Sequence, residues 1–334
     1  MECTTVGEPD PDIAGLGVFV GMAVQAGLSV LLSTWLFIRD RTISRYPILP
    51  ASRPSEIEAL RQLIDGISDS QILAGVSLLI AAFVTRDTLS LYHYRVIYDI
   101  SSFTAVSVCA SIIHTKGVGF DEDAGRWTLP SAGTTMRLIM ATVYGILHLG
   151  FSILFGTMLK SWEWDVDGRC YNTNLVSHPS ASHPYVDLIY LGVTCSYMQL
   201  MLMATVIAGC MDFDWGFKDE PDAEPWEVMM FGQFLLLAFV QYPIHLWSTV
   251  SLRLANESYF DDTSENEWSF GQIIPLIFVL DTLMKCTSAC YDVFYPRKPP
   301  RSSRYTESVE DARSIQDQSM QDPQMEEPRR IATM

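Results

Sequence analysis

Apolar residues gather in seven long runs, 13–38, 70–86, 96–114, 136–159, 187–211, 227–250 and 271–290, separated by polar stretches. A surface helix of a water-soluble protein carries a polar face at 3.6-residue spacing, and these runs are not interrupted that way. Most reach the ~20 residues that an α-helix needs to cross a bilayer; the run 70–86 is the shortest. The pattern predicts an all-α, polytopic membrane protein built as a bundle of about seven transmembrane helices. Residues 1–12 then form a short tail, 13–290 the helical domain, and the polar, Ser-, Gln- and Glu-rich 291–334 a disordered tail.

Composition agrees with this reading. Hydrophobic residues make up 49% of the 334 positions and charged residues 18%, against ~25% charged in soluble chains. The net charge of −17 comes from acidic loops and gives no reason to expect a nucleic-acid partner. The N-terminus lacks a basic segment ahead of its first run, and that run is too long for a signal peptide, so no cleaved leader is expected.

Lys and Arg set the expected orientation. With the N-terminus outside, the inner segments hold Arg39, Arg41, Arg45, Arg53, Arg61, Lys116, Arg126, Arg137, Lys218, Arg297, Lys298, Arg301 and Arg304. The outer segments hold Arg86, Arg95, Lys160, Arg169 and Arg253. The excess predicts an outer N-terminus and a cytoplasmic C-terminus, in the secretory pathway or plasma membrane. The sequon Asn256-Glu257-Ser258 falls in a loop placed outside and makes Asn256 a candidate for N-glycosylation. Cys3 and Cys170 also fall outside, where a disulfide between them is chemically allowed.

Charges inside the runs are the candidate chemistry, since ionisable groups at bilayer depth are costly and face a bundle interior. In the last run the eight Ile, Leu, Val and Phe residues of 271–290 return roughly 3–5 kcal/mol on insertion, while Asp281 and Lys285 cost about 2.5–3.5 each. Four residues apart, these two are expected to neutralise each other inside the bundle. Pro243 and Pro275 interrupt the helices of two successive runs. With Gln241, Tyr242, His245 and Asp281 nearby in depth, they predict a ligand or ion cavity in the outer half of the bundle. His148, Gln199 and Asp99 are further candidates. Asp99 is expected to form a boundary ion pair with Arg95, whose side chain would reach for the headgroups.

The inner loop 39–69 contains Ser55-Glu56-Ile57-Glu58, a capping box, followed by Ile57, Leu60, Ile64 and Ile67 on one face. A short amphipathic helix at the inner interface is expected there, and this loop or the C-terminal tail is where a cytoplasmic partner would bind. Ser68–Gln71 repeats the capping pattern before the second run. Gly17, Gly21 and Gly27 leave room for close helix packing within the chain. The acidic stretch 212–226 lacks the glycine and third ligand of a calcium loop. No metalloprotease, nucleophile-elbow, P-loop or paired-cysteine motif occurs, so neither a catalytic nor a metal site is predicted.

Two segments carry a family resemblance. Asp10-Pro11-Asp12-Ile13-Ala14-Gly15-Leu16-Gly17-Val18 and Leu89-Ser90-Leu91-Tyr92-His93-Tyr94-Arg95-Val96-Ile97-Tyr98-Asp99 resemble the entries to the first and third helices in a broad group of fungal multi-pass membrane proteins of unassigned activity. The resemblance implies a multi-pass fold and a fungal source, and no activity. Asp281-Thr-Leu-Met-Lys285 and Phe239-x-x-Tyr242-Pro243 resemble the last two helices of microbial opsins, which would make Lys285 a retinal attachment site. The third helix lacks the run those proteins carry after Asp99. A receptor-like sensor with a small-molecule ligand is the leading expectation, and no cofactor is needed for it. A transporter or channel using Asp281 and Lys285, a retinal protein and a membrane scaffold are the alternatives.

Overall fold

A computed structural model describes residues 3, 5–45, 54–112, 119–121, 126–128, 132–175, 183–210, 225–260, 268 and 270–294. The chain divides into two units, Met1–Ala289 and Cys290–Met334. Of the tail expected to be disordered, only 291–294 are described, and these close the last helix. The acidic stretch 212–226 lies outside the described residues except for the start of a helix at Pro225.

The elements are α1 (Pro11–Ala14), α2 (Leu16–Arg45), α3 (Pro54–Val84), α4 (Leu91–Ile112), α5 (Ala132–Met158), α6 (Tyr185–Cys210), α7 (Pro225–Asn256) and α8 (Phe270–Phe294). A three-residue antiparallel ribbon, Gly119–Asp121 against Arg126–Thr128, pairs Phe120 with Trp127 between α4 and α5. Among the described residues five helical segments are long and apolar enough to cross a membrane: Pro11–Arg39, Ile57–Val84, Leu91–Ile112, Ala132–Ser161 and Tyr185–Ile207.

The side chains are arranged inside out relative to a water-soluble bundle. Leu31, Ile146, Ile153, Ile189, Val193 and Leu200 are exposed, while Ser29, Ser33, Gln71, Ser101, Ser102, Thr104 and Ser107 are buried. Such an apolar exterior is far larger than a soluble monomer displays, and buried hydroxyls and amides are how helices associate in lipid. Ser33 Oγ donates to the Ala110 carbonyl at 2.7 Å, and Gln71 Nε2 to the Met22 carbonyl at 2.7 Å. Apart from that ribbon the fold is all-helical, with apolar helices long enough to cross a membrane and an exterior suited to one.

The axis of the bundle is α4, every residue of which is buried. It packs against α2, α3, α5, α6 and α7. Its sequence explains this position. Ser101, Ser102, Ala105, Ser107, Ala110 and Ser111 keep the helix thin, so five neighbours can approach. Gly75 of α3 shows how closely: a Cβ there would lie 2.3 Å from Thr104 Oγ1. α8 approaches α2 in the same way, because Cβ atoms at Gly17 and Gly21 would lie 2.5 Å from the Gln272 carbonyl oxygen and 2.4 Å from Pro275 Cβ. The glycines of the first run therefore serve packing within the chain.

The segment 39–69, of which 46–53 lie outside the described residues, is not organised as expected. α3 starts at Pro54 and runs unbroken to Val84 over 31 residues. The amphipathic segment and the second run are one helix. It begins at Pro54, with Ser55 already inside its first turn, and no proline interrupts it; Ser68–Gln71 lies mid-helix. Its apolar face, Leu60, Leu63, Ile64 and Ile67, is buried against Leu36 of α2, with Cys286 of α8 alongside. That face packs in the bundle against α2.

At one end the chain is tied into a cap. Cys3 and Cys170 form a disulfide with Cα atoms 5.8 Å apart. The Cys3 N–H donates to Asn172 Oδ1 at 3.0 Å, and the Asn172 N–H to Asn256 Oδ1 at 2.7 Å. Gly7 (φ +98°) and Gly168 (φ +69°) converge on Ser90, where left-handed backbone and close approach both require glycine. Leu91 N–H donates to the Gly168 carbonyl at 2.8 Å, and Gly271 N–H to Asp12 Oδ1 at 3.1 Å. The N-terminal segment, the α5–α6 connection, the start of α4, the end of α7 and the start of α8 thus meet at this end.

Asn256 belongs to that cap. Its side chain is 0% exposed, and Nδ2 donates to the carbonyls of Asn172 and Leu252, both at 2.8 Å. In the folded chain Nδ2 is enclosed and fully engaged, and the asparagine braces the cap.

Candidate functional site

The centre of the bundle holds an ion pair. Arg95 and Asp99 are one turn apart on α4, with Arg95 Nε 3.3 Å from Asp99 Oδ2 and side chains 2% and 0% exposed. The spacing was legible, but the expected boundary pair reaching for headgroups is not what forms. Both groups point into the bundle because α6 and α7 supply partners there. Asp99 Oδ1 accepts from His245 Nδ1 at 2.8 Å and from the Tyr190 hydroxyl at 2.8 Å. Its Oδ2 accepts from Ser248 Oγ at 2.6 Å. Arg95 Nη2 donates to Ser248 Oγ at 2.9 Å, and its guanidinium lies 3.6 Å from the Tyr190 ring centroid. A desolvated carboxylate stays charged when its lone pairs are filled this way and a cation stands beside it.

The donor roles follow from the acceptor. A carboxylate only accepts, so His245 carries its proton on Nδ1. That leaves Nε2, which together with Arg95 Nη1 has no hydrogen-bond partner among the described residues. Unsatisfied buried polar atoms are few in folded proteins and cost ~1–3 kcal/mol each.

A second polar cluster lies against the first. His148 of α5 is 3.3 Å from Ser102 Oγ through Nε2 and 3.2 Å from Gln199 Nε2 through Nδ1. The Tyr98 ring joins the clusters, its centroid 5.4 Å from that of His148 and 5.8 Å from that of His245. Of the residues singled out from the sequence, Asp99, His245, His148 and Gln199 therefore come together around α4. Gln241 is buried one turn from His245 and lines a void of about 20 Å³ with Tyr197. Tyr242 turns to α2, its hydroxyl donating to the Ala23 carbonyl at 3.2 Å.

Asp281 and Lys285 stand apart from all of these. They pair at 2.6 Å, yet their side chains are 47% and 54% exposed. The expectation that they neutralise each other holds; the expectation that they are buried does not. At 1.5 Å per residue, Lys285 lies roughly 23 Å along α8 from Phe270. There Nζ is 3.9 Å from where a Gly66 Cβ would sit. Next to Gly66 on α3 is a charged belt in which Arg137 reaches Asp69 at 2.6 Å and Asp65 at 2.9 Å. The pair lies beside α3 near that belt and is not enclosed.

Three residues of the hub, Tyr190, Ser248 and Tyr98, were not singled out from the sequence. Ser248 had a signal: Gln241, His245 and Ser248 follow one face of α7 at helical spacing. Tyr190 and Tyr98 had none, because a tyrosine in an apolar run reads as packing.

Two crevices open elsewhere. One of about 620 Å³ lies in the cap, between Gly7 and Glu8, the α3–α4 turn with Arg86 and Asp87, the first turn of α4, and Asp167–Arg169. The other, of about 300 Å³, is apolar and lies between α2, α3 and α8. Asp281, half exposed and paired with Lys285, lines neither of these crevices. No group of three or more His, Cys, Asp or Glu residues among the described residues is placed to hold a metal ion.

Comparison of this chain with protein-family models, with curated proteins and with solved structures finds no match. What it does rests on the geometry above.

Proposed function

We propose that this protein is a receptor-like membrane sensor of seven crossing helices, with the N-terminus outside and the C-terminus in the cytoplasm. Two independent features support the orientation: the Lys and Arg excess on the inner segments, and a disulfide at the opposite end, where an oxidising compartment allows one.

One observation carries the functional reading. The cap crevice is floored by Ser90, Leu91 and Tyr94 at the start of α4, and the next residues of that helix, Arg95 and Asp99, grip α6 and α7. A solute in the crevice presses on the element that holds α7. Arg86 and Arg169 stand in its walls with Glu8, Asp87 and Asp167, so the matching solute carries both charges, as an amino acid or short peptide does. Thermal unfolding in lipid nanodiscs against a panel of amino acids and short peptides tests this. A saturable rise for one member, lost in Arg86→Ala/Arg169→Ala, is expected; no rise with any member overturns the reading.

The half-exposed placement of Asp281 and Lys285 lends no support of its own to the transporter and retinal alternatives. A Schiff-base lysine needs an enclosed pocket, and Lys285 is half exposed and paired.

A second reading rests on Thr173, His183 and Asp187. Thr173 Oγ1 is 2.7 Å from His183 Nε2, and His183 Nδ1 is 2.5 Å from Asp187 Oδ2. That is the hydroxyl, imidazole and carboxylate order of a nucleophilic triad. Threonine would attack an ester carbonyl and pass its proton through the imidazole to the leaving alcohol, and water would then release the acyl group. Labelling of Thr173 by a fluorophosphonate, abolished in His183→Gln, tests it; without labelling the triplet is a brace between the cap and α6.

A further inference from the structure

The crevice between α2, α3 and α8 has a structural cause. Gly17 and Gly21 let α8 close onto α2, while α3 stands off, so Val18, Met22, Leu78 and Phe278 face one another across about 300 Å³ of open space. The space opens outward past Leu73, which is exposed. Walls this apolar do not hold water, and protein interiors are close-packed, a void of this size being costly. On the side of a membrane-embedded chain the available filler is lipid.

The mouth selects the class of lipid. Asp12 stands there, with Oδ1 accepting from the Gly271 N–H at 3.1 Å. Glu8 and Asp10 precede it, and no Lys or Arg occurs before Arg39. Arg253, which donates to the Ala14 carbonyl, belongs to α7 and does not line the crevice. A phosphate headgroup would meet a carboxylate, whereas a hydroxyl would donate to it. We propose that this crevice binds a sterol, its ring system between α3 and α8 and its hydroxyl donating to Asp12. The site requires only that the chain sits in a membrane; it is independent of the sensor reading.

The test uses the full chain in phospholipid nanodiscs with a photoreactive diazirine sterol. Labelling is expected on α3 and α8 around Leu78 and Phe278, competed by unlabelled sterol and not by phosphatidylcholine or diacylglycerol. Ala81→Phe, a change at an exposed position on the crevice wall, should cut labelling about tenfold, the equivalent of ~1.4 kcal/mol. Leu149→Phe on the exposed face of α5 should leave it unchanged. Asp12→Ala should weaken labelling more than Asp12→Asn, which keeps an acceptor. Equal competition by phosphatidylcholine or diacylglycerol, even labelling of α5, or indifference to Ala81→Phe in a monodisperse sample overturns the proposal.

Discussion

Arg95–Asp99 on α4 and Asp281–Lys285 on α8 are the same device in sequence: opposite charges four residues apart in a membrane-length apolar run. In space they differ in kind. The first is closed off by Tyr190, His245 and Ser248 from two other helices. The second is half open, with the ion pairs of Arg137 to Asp65 and Asp69 nearby. An i,i+4 spacing guarantees that two side chains can meet. It says nothing about what surrounds them, and the surroundings set the energy. An exposed pair is worth ~0–1 kcal/mol, whereas stripping one partner from a buried pair costs ~3–5 kcal/mol.

The sharpest way to break the comparison is to strip each pair in turn. Asp99→Ala leaves a buried guanidinium and the His245 N–H without their acceptor. It should destabilise by about 3–5 kcal/mol in denaturation from detergent micelles. Arg95→Met with Asp99→Leu should recover part of that loss, because no lone charge is left behind. A cost for Asp99→Ala below that of Asp281→Ala would invert the contrast.

Removing the disulfide asks how far the hub depends on the cap above it. Cys3→Ser with Cys170→Ser opens a link between residues 167 apart in sequence and should cost about 2–5 kcal/mol. Asn256→Ala should cost about 1–3 kcal/mol through the cap hydrogen bonds it breaks. The wild-type protein from a eukaryotic host should show no mass shift on glycosidase treatment. A shift that disappears in Asn256→Gln would contradict the buried asparagine.

Asp281→Asn and Lys285→Met, singly or together, should each stay within about 1 kcal/mol of wild type. Asp10 provides the smallest effect and a pH signature. Partial burial raises its pKa above the ordinary 3.8. A raised value means the folded state binds the proton more tightly, so stability from this group is full below the unfolded value and lost as pH rises through the folded one. Unfolding temperature should therefore fall slightly over that interval in wild type. In Asp10→Asn, which keeps an acceptor for the Asp12 N–H, the slope should lessen by the share of Asp10.

Much of the architecture was legible because lipid leaves few options. A run of about 20 apolar residues can satisfy its backbone in lipid only as a helix, so helices were placed near their observed positions wherever a run was unbroken. α3 was misread because its first half is amphipathic, and the same face suits an interface or a neighbouring helix. Leu36 decided between them. α4 was not recognised as the centre, since its serines and charges do not by themselves say which helices surround it; among polar neighbours those residues are what let it be buried.

The residues themselves determined that this chain is helical, that it suits a bilayer, and which charges would pair along a helix. All of these are local consequences of side-chain periodicity and of the cost of an unpaired backbone in lipid. Only tertiary structure decided which ion pair is interior, that Asn256 is a brace, and that Tyr190 and Ser248 complete a hub with Arg95 and Asp99. Those outcomes depend on which helix faces which, and that is set by close packing among glycines, serines and aromatic rings far apart in the chain.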